Sequence, residues 1–442
     1  MTTQQKQSGN LIAIITMIFL FAMIAFVTNL AAPIGVIWKN QPSIGGSNFL
    51  GMMGNMMNFL AYLFMGIPAG KLLTKIGYKK TALVAIAVGF LGVLIQFLSG
   101  VVGTHDTLFS LPANFFIYLL GAFVAGFSVC MLNTVVNPML NLLGGGGNKG
   151  NRLLQVGATF NSLTGTLTPM FVGALIGQVT ANTAITDVNL VLYIALGVFA
   201  ATFIILSFIP IADPESGKSH TTEPTGHSPW SFRHFVLGAF AIFVYVGVEV
   251  GIPGTLNFFL ADTTGKGAGL DPDKAATVAG FVAGTYWFMM LIGRLLGSII
   301  AGKISSKVML AVASLVGIIF VLIFMLDPEA KTSMPVFTGS SFSSEQVPLG
   351  VLFLVLCGLC TSIMWGGIFN LATEGLGKYT AAASGIFMMM VVGGGILPLI
   401  QNSIADHFTY QMGYIVIVLG LAYMLWYALI GCKNVNTDIK VD

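Results

Sequence analysis

Long apolar runs dominate this 442-residue chain and decide what it can fold into. A helix needs about 20 apolar residues to cross the ~30 Å hydrocarbon core of a bilayer. Only 8% of the residues are charged and the mean hydropathy is +0.89, whereas a soluble domain carries about 25% charge. These values predict an all-α membrane protein and exclude a soluble enzyme. The predicted transmembrane spans are 11–37, 49–70, 82–101, 112–142, 153–178, 188–211, 234–260, 276–301, 308–326, 348–373, 380–404 and 411–431.

The basic residues between these spans predict the orientation of the chain. With the N-terminus in the cytoplasm, 14 of the 19 Lys and Arg fall in inside segments and 4 in outside segments, while Arg294 lies within a span. Cytoplasmic loops of membrane proteins carry the excess of Lys and Arg, so we expect both termini to be cytoplasmic. The net charge of +3 is too weak to indicate a nucleic-acid partner.

The chain contains an internal repeat. Four features recur at offsets of 228 to 233 residues: Gly70-Lys71 with Gly302-Lys303, Pro169 with Pro398, Asn137 with Asn370, and Asn29 with Asn257. The repeat predicts two pseudo-symmetric six-helix bundles, residues 1–211 and 234–442, joined by a cytoplasmic linker at 212–233. Two such bundles form the usual frame for alternating access to a site near the middle of the membrane.

Amides within the spans predict an uncharged binding site. An amide both donates and accepts hydrogen bonds, as a sugar hydroxyl does, and an aromatic ring packs on the apolar face of a sugar. Asn133 and Asn137 are four residues apart and share one helical face. The alternative for each amide is a structural bond between helices. The candidate substrate-binding residues are Asn29, Asn133, Asn137, Gln155, Asn161, Asn257, Trp287, Trp365 and Asn370.

Glu249 is the one acid deep within a predicted span, which makes it a candidate coupling residue for a proton or a sodium ion. The alternative is a hydrogen-bonded carboxylate that locks its helix. Arg294 lies about 10 Å from Glu249 in depth by helical rise, so no direct pair is expected. We predict instead that Arg294 and Glu374 form a latch that closes the cytoplasmic side when the outside is open; the alternative is a fixed bridge.

Several motifs resemble known transporters. The segment Gly70-x-Leu72-x-Thr74-Lys75-x-Gly77-x-Lys79-Lys80 resembles the signature loop of the major facilitator superfamily, which usually has Asp in place of Thr74. Further blocks resemble its fucose–galactose–glucose permease branch: Asn137-Pro138, Asn151-Arg152-Leu153, Phe160-Asn161-Ser162-Leu163, Tyr245-Val246-Gly247-Val248-Glu249-Val250, Gly293-Arg294 and Glu374-Gly375-Leu376-Gly377-Lys378. The resemblance implies a twelve-helix transporter, working as a monomer, that takes up a hexose or deoxyhexose across a bacterial inner membrane. It also implies a gating role for Lys75.

The acids that handle protons in the fucose-type members have no counterpart here. The span-one region Thr28-Asn29-Leu30-Ala31-Ala32 contains no acid, and Asn133 stands at the position of the span-four Glu. Coupling to a proton, to sodium or to no ion therefore stays open. Two rival functions also stay open: a multidrug or lipid-like efflux transporter, and a sugar-binding membrane receptor without transport.

No sequence motif predicts a cofactor, a metal site or an enzyme activity. The run Gly144–Gly147 lacks the Lys-Ser/Thr ending of a nucleotide loop. Cys357 and Cys360 form a single C-x-x-C pair inside an apolar run, without the second pair that a zinc site requires.

Overall fold

The computed structural model describes residues 3–144, 147–176, 179, 182–209, 211, 227–300, 303–326, 330–337, 341–436 and 438–439. Most of the predicted linker, 212–226, lies outside these residues. Below, the first half of the chain means residues 3–209 and the second half means residues 227–439. Apart from two short hairpins, the regular structure of both halves is helical, as predicted.

Ten helical stretches of the described chain are long and apolar enough to cross a membrane. The α-helices are α1 (Thr3–Asn40), α2 (Asn48–Leu98), α3 (Ala113–Leu143), α4 (Gly147–Ile176), α5 (Asn189–Phe208), α6 (Arg233–Ala261), α7 (Ala275–Ile300), α8 (Ser306–Leu326), α9 (Leu349–Thr361), α10 (Met364–Thr373), α11 (Thr380–Met390), α12 (Gly393–His407), α13 (Tyr410–Gly413) and α14 (Ile415–Trp426). A π-helical turn at Tyr427–Gly431 follows α14.

Helix α2 contains both the second and the third predicted span. Its 51 residues correspond to about 77 Å of helix, more than twice the thickness of a bilayer core. The backbone breaks at Gly77, where φ is 82° and ψ is 173°. Glycine adopts this conformation without the steric penalty of a Cβ atom. The connection at 71–81, predicted as a loop, is therefore helical on both sides of one sharp break.

Two other predicted spans each consist of two helices. The tenth contains α9 and α10, and the eleventh contains α11 and α12, which meet at Val391 and Val392. Both valines keep helical dihedral angles (φ −57°, ψ −18° and φ −53°, ψ −22°). Pro398 lies one turn into α12 and has no N–H group. The carbonyl of Gly394, four residues earlier, therefore lacks its usual helical donor.

The long connection between α8 and α9, predicted only as a polar loop at 328–347, forms a hairpin. Strand β3 (Lys331–Phe337) pairs antiparallel with β4 (Phe342–Pro348). Lys274, just before α7, contacts Glu345 of the hairpin at 3.0 Å. A smaller hairpin precedes α3 and joins β1 (Thr107–Leu108) with β2 (Leu111–Pro112).

The two halves of the chain touch through helices whose backbones approach closely. A Cβ atom on Gly280 of α7 would lie 2.3 Å from the carbonyl oxygen of Pro169 in α4. One on Gly284 would lie 2.5 Å from the carbonyl oxygen of Thr166. Small residues allow such contacts between membrane helices. The α4–α7 contact borders the pocket described next, and a similar close contact joins α2 and α12.

Candidate functional site

A pocket lies between the two halves and is lined by α1, α2, α4, α6 and α7. Its cavity volume is about 30 Å³ in this conformation, well below the 300 to 1,000 Å³ of pockets that hold small ligands in other proteins, so a sugar-sized ligand requires the lining helices to move apart. Three of the residues predicted from the sequence line this pocket, namely Asn29, Asn257 and Trp287. Asn55 lines it as well. The full lining is Thr28, Asn29, Ala32, Met52, Asn55, Pro169, Val250, Pro253, Gly254, Asn257, Ala283 and Trp287.

The amides of this pocket have unused hydrogen-bonding capacity. Asn257 is 3% exposed, and its side-chain amide makes no hydrogen bond within the described part of the chain. Asn29 donates one Nδ2 hydrogen to the carbonyl oxygen of Ala25 at 2.9 Å, which leaves its second hydrogen. Because an unpaired buried amide is costly, these groups suit a ligand that both donates and accepts hydrogen bonds.

Trp287 gives the pocket an aromatic wall. Its ring packs edge-on against Tyr286 at 5.4 Å between ring centroids, and the Tyr286 hydroxyl lies 2.8 Å from Oγ1 of Thr361. A Cβ atom on Gly165 would lie 3.5 Å from the Trp287 ring and 3.3 Å from Nδ2 of Asn29. The ring is thus held beside Asn29, where it can cover the apolar face of a sugar.

The other predicted amides are used differently. Asn133 donates to the Tyr62 hydroxyl at 2.8 Å, Asn137 donates to the Asn133 carbonyl at 2.9 Å, and Asn161 donates to the Phe21 carbonyl at 2.8 Å. These bonds match the structural alternative, although all three amides are half-buried and a substrate role for them stays a prediction.

The remaining predicted residues do not line the pocket either. Trp365 packs against Tyr245, with 6.1 Å between ring centroids. Asn370 on α10 and Lys75 on α2 are exposed. The side chain of Gln155 lies outside the described part of the structure.

Arg294 pairs with Glu249, so the expectation that they do not meet is wrong. Nη2 of Arg294 lies 3.7 Å from Oε1 of Glu249, and the two side chains are 17% and 15% exposed. Helical side chains point toward the N-terminus of their helix, and the long arginine stem covers the remaining distance. Arg294 also donates to the Ala158 carbonyl at 2.9 Å and to Ser162 Oγ at 2.7 Å. It therefore joins α6 and α7 to α4 of the other half.

Glu374, the predicted partner of Arg294, is exposed. Its backbone carbonyl lies 2.9 Å from Nε2 of His234, and no ion pair joins Glu374 to Arg294 among the described side chains. As a contact of another conformation, the Arg294–Glu374 latch stays a prediction.

A buried charged cluster, which sequence reasoning missed, joins the two halves where α1 and α6 end. Lys39 donates from Nζ to Asp262 Oδ2 at 2.8 Å and to the Tyr410 hydroxyl at 2.6 Å. The Lys39 and Asp262 side chains are each 6% exposed. The Tyr410 oxygen also lies 2.8 Å from Asn48 Oδ1 and from Asp262 Oδ2. Burial raises the pKa of Asp262, but the Lys39 charge and hydrogen bonds from Lys39 and Thr264 outweigh it and lower that pKa.

A second carboxylate of the second half caps α2. Asp406 accepts hydrogen bonds from Ser47 Oγ at 2.8 Å, from the Asn48 amide at 2.7 Å and from the Phe49 amide at 2.9 Å. A helix N-terminus carries partial positive charge and binds carboxylates well. We call this side of the molecule, with Lys39, Asp262, Tyr410 and Asp406, the Lys39 face, and the opposite side the Gly77 face.

The sequence held one weak signal for the Lys39 face. Lys39 and Asp262 stand near the ends of spans one and seven, which correspond in the repeat. Sequence reasoning counted Lys39 only as a loop charge.

The fold agrees with the comparisons with known proteins. The Major Facilitator Superfamily model matches residues 13–398, so the chain belongs to that superfamily, as the sequence motifs predicted. It is 32% identical to the glucose/galactose transporter of Brucella abortus, over 98% of this chain and 97% of that protein. It is 30% identical to a putative glucose/galactose transporter of Helicobacter pylori, over 97% and 99%.

More distant similarities agree. The L-fucose-proton symporter of Escherichia coli is 23% identical over 79% of this chain and 77% of that protein. A crystal structure of the superfamily transporter FucP in the outward conformation has a TM-score of 0.64 at 19% identity, and the match covers 96% of this chain and all of that one. At this identity the structural likeness supports the fold alone.

Proposed function

We propose that this protein is a secondary transporter that takes up a neutral monosaccharide, a hexose such as glucose or galactose, by alternating access. The observation that carries the proposal is Asn257, a buried amide without a hydrogen bond to the described residues, facing a pocket between the two halves. Asn29 and Trp287 add the polar and aromatic groups that a sugar needs. The names of the relatives from Brucella and Helicobacter support the same substrate class.

The proposed architecture has twelve spans in two six-helix bundles joined by residues 212–233. The break at Gly77 divides α2 into two spans, and α4 supplies the span that completes the first bundle. Both termini face the cytoplasm of a bacterial inner membrane, because that orientation places most basic residues inside. The Lys39 face is then external. The contacts of Lys39 with Asp262 and of Asp406 with the start of α2 close this conformation to the outside.

Coupling is proposed to use a proton on Glu249. Protonation removes the charge that faces Arg294, which frees Arg294 to change its contacts with Ala158 and Ser162 of the other half. The name of the Escherichia coli relative, a proton symporter, supports the choice of ion. Sodium is the alternative.

The experiment measures uptake of radiolabelled glucose and galactose into proteoliposomes, with proton and sodium gradients imposed separately. We expect both sugars to exchange in counterflow. We also expect an imposed proton gradient to drive accumulation of the sugar. Binding without counterflow would indicate the receptor. Thermal stabilisation by lipophilic cations and not by sugars would indicate the efflux transporter.

Substitution of the coupling residue tests the ion. In Glu249→Gln the side chain no longer gains or loses a proton, so we expect accumulation driven by a proton gradient to be lost while glucose counterflow continues. Uphill accumulation that keeps the wild-type pH and sodium dependence would make Glu249 structural. Asp273→Asn, which removes an exposed carboxylate outside the site and the predicted latch, is the control and should keep proton-driven accumulation.

A further inference from the structure

Asn55 of α2 contacts both the pocket and helix α12 of the other half. Its Nδ2 donates to the carbonyl oxygen of Gly394 at 2.8 Å, and the bond is buried. Gly394 is the residue whose carbonyl lost its helical donor to Pro398. Asn55 therefore satisfies a backbone carbonyl that Pro398 leaves without its helical donor.

The surrounding packing leaves this bond little freedom. A Cβ atom on Gly394 would lie 2.8 Å from Cε1 of Phe59, and one on Gly395 would lie 3.0 Å from the Met56 carbonyl oxygen. The start of α12, just after the junction with α11 at Val391 and Val392, therefore packs closely against α2. Asn55 thus bonds α12 close to this junction.

The other end of the same amide faces the pocket. Asn55 is 3% exposed and lines the pocket beside Asn29 and Asn257. Its Oδ1 accepts no hydrogen bond from the described residues, so it is available to a sugar hydroxyl. The amide group is planar and rigid, and a ligand bound to Oδ1 therefore fixes the direction in which Nδ2 points.

We propose that Asn55 is a positioning residue that links sugar occupancy to the junction between α11 and α12. A hydroxyl of the bound sugar donates to Oδ1, while Nδ2 holds the Gly394 carbonyl. This inference rests on the proposed sugar transport and adds the route by which binding changes the conformation.

The test combines sugar binding with a distance measurement. Spin labels at Thr74 and Ser305, exposed positions in different halves on the Gly77 face, report the separation of the halves with and without galactose. In wild type we expect galactose to shift the distance distribution. In Asn55→Leu we expect that shift to disappear and the Kd for galactose to rise about tenfold, the effect of one lost hydrogen bond.

Pro398→Ala tests the same route without changing the pocket. Alanine restores an N–H group that bonds Gly394 within the helix, so the Asn55 bond becomes redundant. We expect galactose binding within about twofold of wild type, since no pocket contact is lost, and a smaller sugar-induced shift. This variant decides the question if Asn55→Leu does not fold.

Asn58→Leu is the matched control. Asn58 lies one turn along α2, is buried at 4% exposure and does not line the pocket, so its variant should keep both binding and shift. A full shift in Asn55→Leu or in Pro398→Ala would overturn the inference. Wild-type protein that binds neither glucose nor galactose would instead overturn the proposed function.

Discussion

The two faces of the molecule handle charge in opposite ways. On the Lys39 face, Lys39 and Asp262 are buried together, and Asp406 caps a helix of the other half. On the Gly77 face, Lys75 and Glu374 are exposed to solvent. Removing one partner of a buried ion pair leaves an uncompensated charge, whereas water screens exposed charges. The contrast teaches that buried carboxylate contacts join the two halves on the Lys39 face. We infer that they hold this conformation closed on that face, and that opening it requires breaking them.

The largest expected effect comes from Lys39→Met. It leaves the Asp262 carboxylate buried without its cation, at a cost of about 3 to 5 kcal/mol, which corresponds to a shift of more than about 100-fold toward the state open on this face. Spin labels at Phe109 and Phe408, exposed positions on the Lys39 face, measure the distribution.

The double variant Lys39→Met with Asp262→Asn sharpens this test, because it leaves no buried charge and should recover part of the closed population. A distribution in Lys39→Met that equals wild type would mean that the pair does not hold the face closed. Lys274→Met, which breaks the exposed contact with Glu345, serves as the control and should change nothing measurable.

Asp406→Asn should have a smaller effect in the same direction. The amide keeps one acceptor oxygen but loses the charge at the start of α2, which is worth roughly 1 kcal/mol, or about fivefold in the equilibrium. The same pair of labels measures it. Asp187→Asn is the control, since among the described residues that carboxylate accepts a hydrogen bond only from the Ala184 amide of its own half. Equal shifts in the two variants would mean that Asp406 does not hold the Lys39 face closed.

The pH dependence of the closed state follows from the lowered pKa of Asp262. In the closed state the pKa of this carboxylate lies below its ordinary value of 3.8. Its contribution to the stability of the closed state is therefore complete above that value and is lost as the pH falls through the lowered pKa. Distances on the Lys39 face should therefore not change through Asp262 between pH 8 and pH 5, and the face should begin to open below about pH 4. A shift between pH 8 and pH 5 that disappears in Asp262→Asn would contradict this.

The smallest effect is expected on the Gly77 face. If the predicted Arg294–Glu374 latch forms in the opposite conformation, Glu374→Gln shifts the labels at Thr74 and Ser305 toward the present state, by up to about 1 kcal/mol for a partly exposed pair. An unchanged distance distribution would contradict the latch. Glu249 would then be the only acidic partner of Arg294 that the described structure supports.

Sequence reasoning predicted the helices better than their interruptions. Hydropathy located the apolar segments that the structure shows as α1, α6 and α8, because a bilayer requires a run of apolar residues wherever a helix crosses it. It treated residues 71–81 as a loop, since Lys71, Lys75, Lys79 and Lys80 make the segment polar. Helical backbone continues there on either side of Gly77, because charge alone does not stop a helix.

The sequence predicted the chemical character of the candidate site but only some of its residues. The abundance of amides predicted an uncharged polar pocket, and Asn29, Asn257 and Trp287 line one. Asn55 lies within the second predicted span but was not among the candidate substrate-binding residues. The sequence does not say which of many amides faces a pocket, because that depends on how far each helix is rotated about its axis.

The sequence by itself determined the apolar, all-helical fold and the superfamily, and it predicted a neutral, amide-rich binding chemistry, since these follow from local composition and short motifs. Only the tertiary structure decided that Lys39 meets Asp262, 223 residues away, that Arg294 reaches Glu249, and that Asn55 bonds Gly394. Such contacts depend on the relative rotation and depth of packed helices and on the reach of long side chains, which no local pattern along the chain specifies.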